Sequence, residues 1–279
     1  MSAELRLGVI TSGAFPDLVK DDQPFLAALP ALGVRVVPLV WGAATLAAEV
    51  DAYLVRSPWD WYLRPDEFDA FLAALPETRT HNAPSLMRAY LGKDYLLAFA
   101  AAGIATVPTE LVDGGHAEIG RAIARRDWSR SVVKPIRSAG AHRTICIDGG
   151  IAPPSLAPER WLVQRYLPEI ERGELSFVFF DGELSHCVRK SPRAGDFRVQ
   201  REHGGNSERH VPSAELVAQV ARALSQLGPA PLYARVDGVV VDDELLLMEL
   251  EVVEPELFFG LCAEAGPRFA NALCKRLFR

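Results

Sequence analysis

The sequence predicts an α/β protein: a parallel βαβ lobe followed by two lobes of α+β character. Three observations lead there. Apolar runs at 5–10, 34–40 and 52–55 alternate with helical periodicity over 24–32, the pattern of strands joined by crossovers. From residue 89 onward β-rich runs become dense, at 106–112, up to Lys134-Pro135, at 144–147 and at 161–167, with a helix over 116–126 between them. Two hairpins follow: 175–180 and 183–190 flank Asp181-Gly182, a dipeptide suited to a type I′ turn, and 233–241 and 245–253 flank an acidic turn. The expected division is 1–88, 89–166 and 167–279.

Each element has a local reason. The strand at 52–55 ends abruptly at Arg56-Ser57-Pro58, and polar groups of open parallel sheets gather beyond the carboxyl ends of their strands. Arg56 and Trp59 are therefore candidates to contact a substrate carboxylate and ring, although Trp59 and Trp61 equally suit packing between lobes. A helix beginning near Ala89 carries Lys93 and Leu96-Leu97 and stops at Gly103. A further helix spans 214–227 and leads into the last hairpin.

The 279 residues are 49% apolar and 24% charged, with 30 Lys plus Arg against 36 Asp plus Glu and a net charge of −6. No basic stripe marks a nucleic-acid surface, and no apolar run approaches the ~18 residues of a bilayer span. The cysteines at 146, 187, 262 and 274 form neither a disulfide framework nor a metal motif, and Met1 to Glu4 lack a basic leader. The expectation is a cytoplasmic protein with reduced thiols, a small-molecule substrate, no membrane or nucleic-acid partner, and a homodimer as one open possibility.

The most informative segment is Ala234-Arg235-Val236-Asp237-Gly238 with Met248-Glu249-Leu250-Glu251. Residues two apart on a strand share a face. With a three-residue turn of Asp242, Asp243 and Glu244, Asp237 falls opposite Glu249 and Arg235 opposite Glu251; a change of one residue breaks the parity. Three carboxylates and one guanidinium then converge. Two carboxylates ~4 Å apart repel by about 4 kcal/mol at an effective dielectric of 20. Such a cluster needs a cation, a shared proton or an arginine, and oxygen ligands suit Mg²⁺. A solvated acidic face accounts for the same residues. Lys134 ends a β-rich run and is followed by Ser138-Ala139-Gly140-Ala141, small residues whose amides suit phosphate oxygens. Neither of the common glycine-rich nucleotide fingerprints is present.

In order and spacing these segments resemble the ATP-grasp superfamily over most of the chain. Ala-Arg-Val-Asp with Met-Glu-Leu-Glu and Pro255 is similar to the metal-binding hairpin of D-alanine–D-alanine ligases. Val163 to Ile170 with Gly173-Glu174 resembles the adenine hinge and ribose acid of bacterial glutathione synthetases, and the hairpin through Lys190-Ser191-Pro192 and on to Arg198 keeps that order. The stretches VRSPWDW, KDYLL, VPTELV, GELSFVFFDGELSH and GDFRVQREHGG are most similar to the branch holding the cycloserine synthetase, an O-ureido-serine cyclo-ligase.

The resemblance implies an ATP-grasp fold whose two later lobes clamp ATP. It also implies that Lys93 and Lys134 hold phosphates under a loop containing Ser138 and Gly140, and that Gln164, Tyr166 and Leu167 read the adenine edge, mainly through backbone. Glu174 would bind ribose, Lys190 approach the γ-phosphate, and Asp237, Glu249 and Glu251 hold Mg²⁺, as one or two ions that Mn²⁺ can replace. Arg235 would stabilise the reacting carbonyl, and Arg198 is a candidate substrate contact. The implied reaction activates a small amino-acid-like carboxylate as an acyl phosphate and joins it to nitrogen by ring closure. An intermolecular amide or dipeptide ligase, a metal-dependent hydrolase and a non-catalytic nucleotide binder are the alternatives. Three departures stand out: Glu251 where these ligases commonly have Asn, Ser176 where glutathione synthetases place Arg, and one glycine only, Gly140, in the loop.

Overall fold

The computed structural model describes residues 4–43 and 50–278; Met1 to Ala3, part of the stretch inspected for a leader, lie outside them. The N-terminal sheet is parallel, in the order β2-β1-β3-β4, with β1 Leu5–Thr11, β2 Val34–Val40, β3 Ala52–Ser57 and β4 Thr80–His81. The expected helix over 24–32 is interrupted: α1 covers only Gln23–Leu26, flanked by single 3₁₀ turns at Lys20–Asp22 and Pro30–Leu32. Pro30 has no amide hydrogen to continue an α-helix, which accounts for the break. Two helices not anticipated from sequence follow β3: α2 Pro65–Ala74 and α3 Pro84–Ala89, each with proline in its first turn.

Lys93 is not on a helix. It sits in the turn between α3 and α4 (Tyr95–Ala101), with its amide bonded to the Ile136 carbonyl at 3.0 Å. The second sheet is antiparallel, in the order β5-β8-β6-β7, from β5 Thr109–Gly114, β6 Arg130–Pro135, β7 Ile145–Asp148 and β8 Glu159–Arg165, with α5 His116–Arg126 on one face. The strand expected from 106 starts three residues later, because Thr106 makes only an isolated bridge to Leu247. Alternation in β6 and β8 sends Val133, Trp161 and Val163 into the core under α5 and leaves Val132, Lys134 and Gln164 on the other side.

The third sheet has the order β11-β10-β9-β12-β13: β9 Glu174–Phe180, β10 Glu183–Ser191, β11 Asn206–His210, β12 Tyr233–Val241 and β13 Glu244–Glu251. Asp181 and Gly182 both have positive φ, 52° and 84°, as the type I′ turn requires. One face of β9 and β12 carries Leu175, Phe177, Phe179, Ala234 and Val236, packed with α4 and with α6 Ala214–Ser225. The opposite face divides along its length. Val178, Phe180 and Tyr233 pack beneath α7 Ala265–Leu277 and against the N-terminal sheet, whereas Glu174, Ser176, Arg235 and Asp237 occupy the other end.

The acidic pairing holds by a route other than the one expected. The turn has two residues, Asp242 and Asp243, since Val241 pairs with Glu244. That register alone would place Met248 opposite Asp237. A bulge between Asp237 and Gly238 absorbs Met248, so that Gly238 pairs with Leu247 but Asp237 with Glu249 and Arg235 with Glu251. Gly238 is required there, for a Cβ would stand 2.8 Å from the Leu246 carbonyl oxygen.

Asn82 ties the lobes together. Its amide nitrogen donates to the carbonyls of Tyr233 (2.8 Å) and Val252 (2.9 Å), and its oxygen accepts from the Leu232 amide at 2.6 Å, all buried. Asn82→Ala should leave three buried backbone groups unsatisfied and lower stability by about 3 kcal/mol, read as a fall in the urea midpoint.

Candidate active site

The second and third sheets and the segment that follows β3 meet around a cavity of about 740 Å³. Its floor is the polar end of the third sheet. Ser176 donates to Asp237 Oδ1 at 2.6 Å, Lys190 reaches Asp237 Oδ2 at 3.2 Å and pairs with Glu174, and Lys93 pairs with Glu249 at 2.7 Å. Arg235 grips Asp237 through Nε (3.0 Å to Oδ1) and Nη2 (2.9 Å to Oδ2), pairs with Glu251, and donates from Nη1 to the Glu256 carbonyl at 3.0 Å. Oxygens of Asp237, Glu249 and Glu251 all lie within 4.8 Å of one another. A hard oxygen set so close fits a divalent cation of the Mg²⁺ type.

Gly173, just before β9, helps fix Glu174. Its φ is 102°, and a Cβ there would meet the Arg189 side chain at 2.7 Å and the Lys190 carbonyl at 3.1 Å. Tyr95, on α4, holds β13 from behind, its hydroxyl accepting from the Leu250 amide at 2.8 Å and donating to the Leu250 carbonyl at 3.1 Å.

Burial opposes every charge here, and the partners decide each outcome. Asp237 is held well below the usual carboxylate range because Arg235 and Lys190 outweigh its desolvation, and Glu249 is lowered by Lys93 and Lys134 in the same way. Glu251 goes the other way. Burial pushes it up to about 8 despite Arg235, reinforced by the negative charges of Glu249 and Asp237. Lys134 is buried on β6 and, among the described residues, has no carboxylate at ion-pair distance; burial depresses its pKa while Glu249 pulls it up. An unpaired ammonium facing a cavity is a binding group for an anion.

The second sheet supplies the roof. Gln164 is buried and spends its amide on Thr109 Oγ1 at 2.9 Å. Tyr166 and Leu167 lie just beyond β8. The Tyr166 amide already donates to the Arg130 carbonyl at 3.1 Å, and the Arg130 guanidinium covers its ring at 3.8 Å. The Tyr166 carbonyl and the Leu167 amide have no backbone partner among the described residues, and both residues line the cavity. Ser138 faces it through its carbonyl, which takes Lys93 Nζ at 2.5 Å, while its hydroxyl donates to the Pro135 carbonyl at 3.2 Å. Gly140 (φ 58°) and Ala141 (φ 55°) turn the loop over the cavity, and His142 packs on Tyr62 at 4.7 Å. Arg198 lines the cavity with its guanidinium held by Asp196 at 2.8 Å.

Arg56 is the exception among the sequence candidates. It does not line the cavity. Its side chain is 1% exposed, pairs with fully buried Asp22 at 2.9 Å, donates to the Pro255 carbonyl at 3.1 Å and lies over the Tyr233 ring. The expected substrate contact is corrected to an interior ion pair with Asp22, and the same guanidinium joins the N-terminal sheet to the chain after β13 through the Pro255 carbonyl. Sequence reasoning also missed Glu254, which is buried, lines the cavity and accepts from the Trp61 indole. Its only signal was an acidic residue three beyond Glu251 and immediately before Pro255.

Comparison with known proteins decides the family. Residues 104–258 match the prokaryotic glutathione synthetase ATP-grasp domain, and residues 7–82 match the N-terminal domain of D-cycloserine synthetase DcsG. The cycloserine biosynthesis protein DcsG of Streptomyces lavendulae is 30% identical over 97% of this chain and 98% of its own. The chain belongs to the ATP-grasp ligases. A crystal structure of D-cycloserine synthetase DcsG superposes on the ligase with a TM-score of 0.87 and 26% identity, covering 98% of this chain and 99% of that one. The D-alanine–D-alanine ligase of Bacillus anthracis in complex with ATP shares the fold alone, with a TM-score of 0.65 and 16% identity over 98% and 96% of the chains. Ligases of this family form carbon–nitrogen bonds at the expense of ATP, and the ATP-grasp ligase PsnB, which shares the fold at 15% identity and a TM-score of 0.67, has been solved with Mg and ADP. No helix among the described residues is long and apolar enough to cross a membrane.

Arg56→Ala should strand the Asp22 charge in the core and cost about 3–5 kcal/mol, whereas a double replacement of Asp22 and Arg56 by well-packed apolar residues should recover most of the loss. Thermal denaturation of the single and double variants checks this, and the folded fraction of Arg56→Ala should keep the wild-type substrate KM.

Proposed function

We propose that this ligase closes a ring within a small amino-acid-like substrate, as in cycloserine biosynthesis, by way of an acyl phosphate. The observation supporting this reading is the pairing, across one cavity, of the unpartnered Lys134 ammonium with the Asp237–Glu249–Glu251 cluster. A carboxylate resists nucleophiles because charge and resonance oppose attack. Transfer of the ATP γ-phosphoryl group to a carboxylate oxygen, with ADP leaving, converts it into a mixed anhydride.

Phosphoryl transfer is limited mainly by positioning and charge neutralisation. Lys93 and Lys134 take the phosphate oxygens from one side, and Lys190 approaches the γ-phosphate. Asp237, Glu249 and Glu251 would hold Mg²⁺, as one ion or two, whose charge would offset that of the triphosphate, and Mn²⁺ would suit the same oxygen set. The Tyr166 carbonyl and Leu167 amide present an acceptor–donor pair to the adenine edge, above Gln164, and Glu174 takes ribose hydroxyls. The Ser138–Gly140 loop closes over the phosphates. Arg198 reaches substrate from the rim. The substrate nitrogen then attacks the activated carbonyl, Arg235 stabilises the oxyanion, and phosphate departs as the nitrogen loses its proton. Because both reacting groups belong to one molecule, the cavity has only to fold that molecule into a near-attack conformation. Ser176, which donates to Asp237 where glutathione synthetases carry a cationic side chain, supports a small substrate over a glutathione-type peptide.

The reading predicts phosphate release with D- or L-serine derivatives bearing an O-linked nitrogen, O-ureido-serine first, and a product mass showing ring closure rather than a dimer. Asp237→Asn or Glu249→Gln should each reduce kcat at least about 100-fold, and Lys134→Ala should raise the ATP KM while leaving the fold intact. Full substrate-dependent ATP hydrolysis in the two carboxylate variants would refute the metal assignment, and a linear amide product would refute ring closure.

A further inference from the structure

The half-buried and buried carboxylates around the cavity are almost all neutralised. Glu174 and Asp237 have Lys190, Asp237 and Glu251 share Arg235, Glu249 has Lys93, and Glu256 has Arg201 at 3.6 Å. Glu254 is different: among the described residues no cation lies within ion-pair distance of it, although only 8% of the residue is exposed. It does not belong to the carboxylate trio that can share a metal ion.

Its placement is fixed from the N-terminal lobe. The Trp59 indole donates to its backbone carbonyl at 2.9 Å, and the Trp61 indole donates to its carboxylate. Both donors are neutral, so they orient the group without cancelling its charge. Trp59, Trp61 and Tyr62 line the same cavity. A buried carboxylate at the edge of an aromatic wall is the chemistry that recognises an ammonium ion. Burial pushes the Glu254 pKa up against the Trp61 hydrogen bond and the charge of Lys93, which acts from beyond ion-pair distance, and a cationic ligand would relieve that penalty.

We propose that Glu254 is the specificity residue that binds the α-ammonium group of the substrate. This rests on the ring-closing reading and deepens it. In an intramolecular ligase the α-amine is a bystander: closure on its own carbonyl would make a strained three-membered ring, but as a free amine it could attack the activated carbonyl of a second substrate molecule. A carboxylate partner keeps it protonated and therefore non-nucleophilic, and it turns the other nitrogen toward the carbonyl. An intermolecular ligase that used this amine as its nucleophile would gain nothing from a group that holds the proton on.

The test compares O-ureido-serine with its 2-deamino analogue, 3-(ureidooxy)propanoate, by calorimetry in the presence of Mg²⁺ and a non-hydrolysable ATP analogue, and by phosphate release with ATP. The wild-type protein should prefer the amine-bearing ligand by about 10- to 100-fold, the span of one charge-assisted contact. Glu254→Gln, which can still accept from Trp61, should bind both ligands alike with the ATP KM unchanged. Trp61→Phe, which loses the indole donor but keeps the charge, should retain the preference. The inference is overturned if Glu254→Gln still discriminates, or if Trp61→Phe abolishes discrimination as fully as Glu254→Gln does. Equal use of both ligands by the wild type overturns it alone and leaves the ligase reading standing, whereas failure of the wild type to bind or turn over any serine derivative overturns both.

Discussion

The architecture of this ligase turns on the cost of keeping several carboxylates out of water side by side. Asp237, Glu249 and Glu251 approach within 4.8 Å, and each is flanked by a cation delivered from a different part of the chain. Lys190 comes from β10, two strands away across β9, Arg235 from the same strand two residues earlier, and Lys93 from the turn between α3 and α4. Breaking one member of such a network exposes the desolvation penalty of the others, because a buried charge without its partner is strongly destabilising. The site and the fold thus depend on the same contacts. Lys93 illustrates this by bridging Glu249 on the third sheet and the Ser138 carbonyl of the loop that follows the second.

Much of this arrangement is legible in sequence because it rides on strands. Arg235 with Asp237, Glu249 with Glu251 and Glu174 with Ser176 are each two residues apart, and that spacing alone assigns them to one face. The apolar residues between them, Leu175, Val236 and Leu250, report the opposite face. Lys134 is visible for the same reason, as the polar end of a β-rich run. The parallel first sheet and the Asp181-Gly182 hairpin follow from patterns equally local.

What escaped depends on distance. Arg56 at the end of a parallel strand has the position of a ligand contact, and only the fold shows that Asp22, 34 residues earlier in a single 3₁₀ turn, neutralises it. Glu254 lies beyond the last strand, where no periodicity assigns a face, and its orientation comes from two indoles nearly 200 residues away. Lys93 reads as helical because leucines follow it at helical spacing, yet its amide is taken by Ile136 and the helix starts two residues later. Side chains placed by non-local partners carry no local signal.

The bulge at Met248 separates two tasks that a regular hairpin would fuse. In a ladder without irregularity, the length of the surface loop dictates which side chains point inward at the far end, so a one-residue insertion or deletion at the tip would invert the interior. Here the count is settled next to Gly238, between the tip and the carboxylates. A one-residue change in the length of the exposed end can be offset by the loss or gain of such a misfit residue, leaving the Asp237, Glu249 and Glu251 carboxylates aimed where they are.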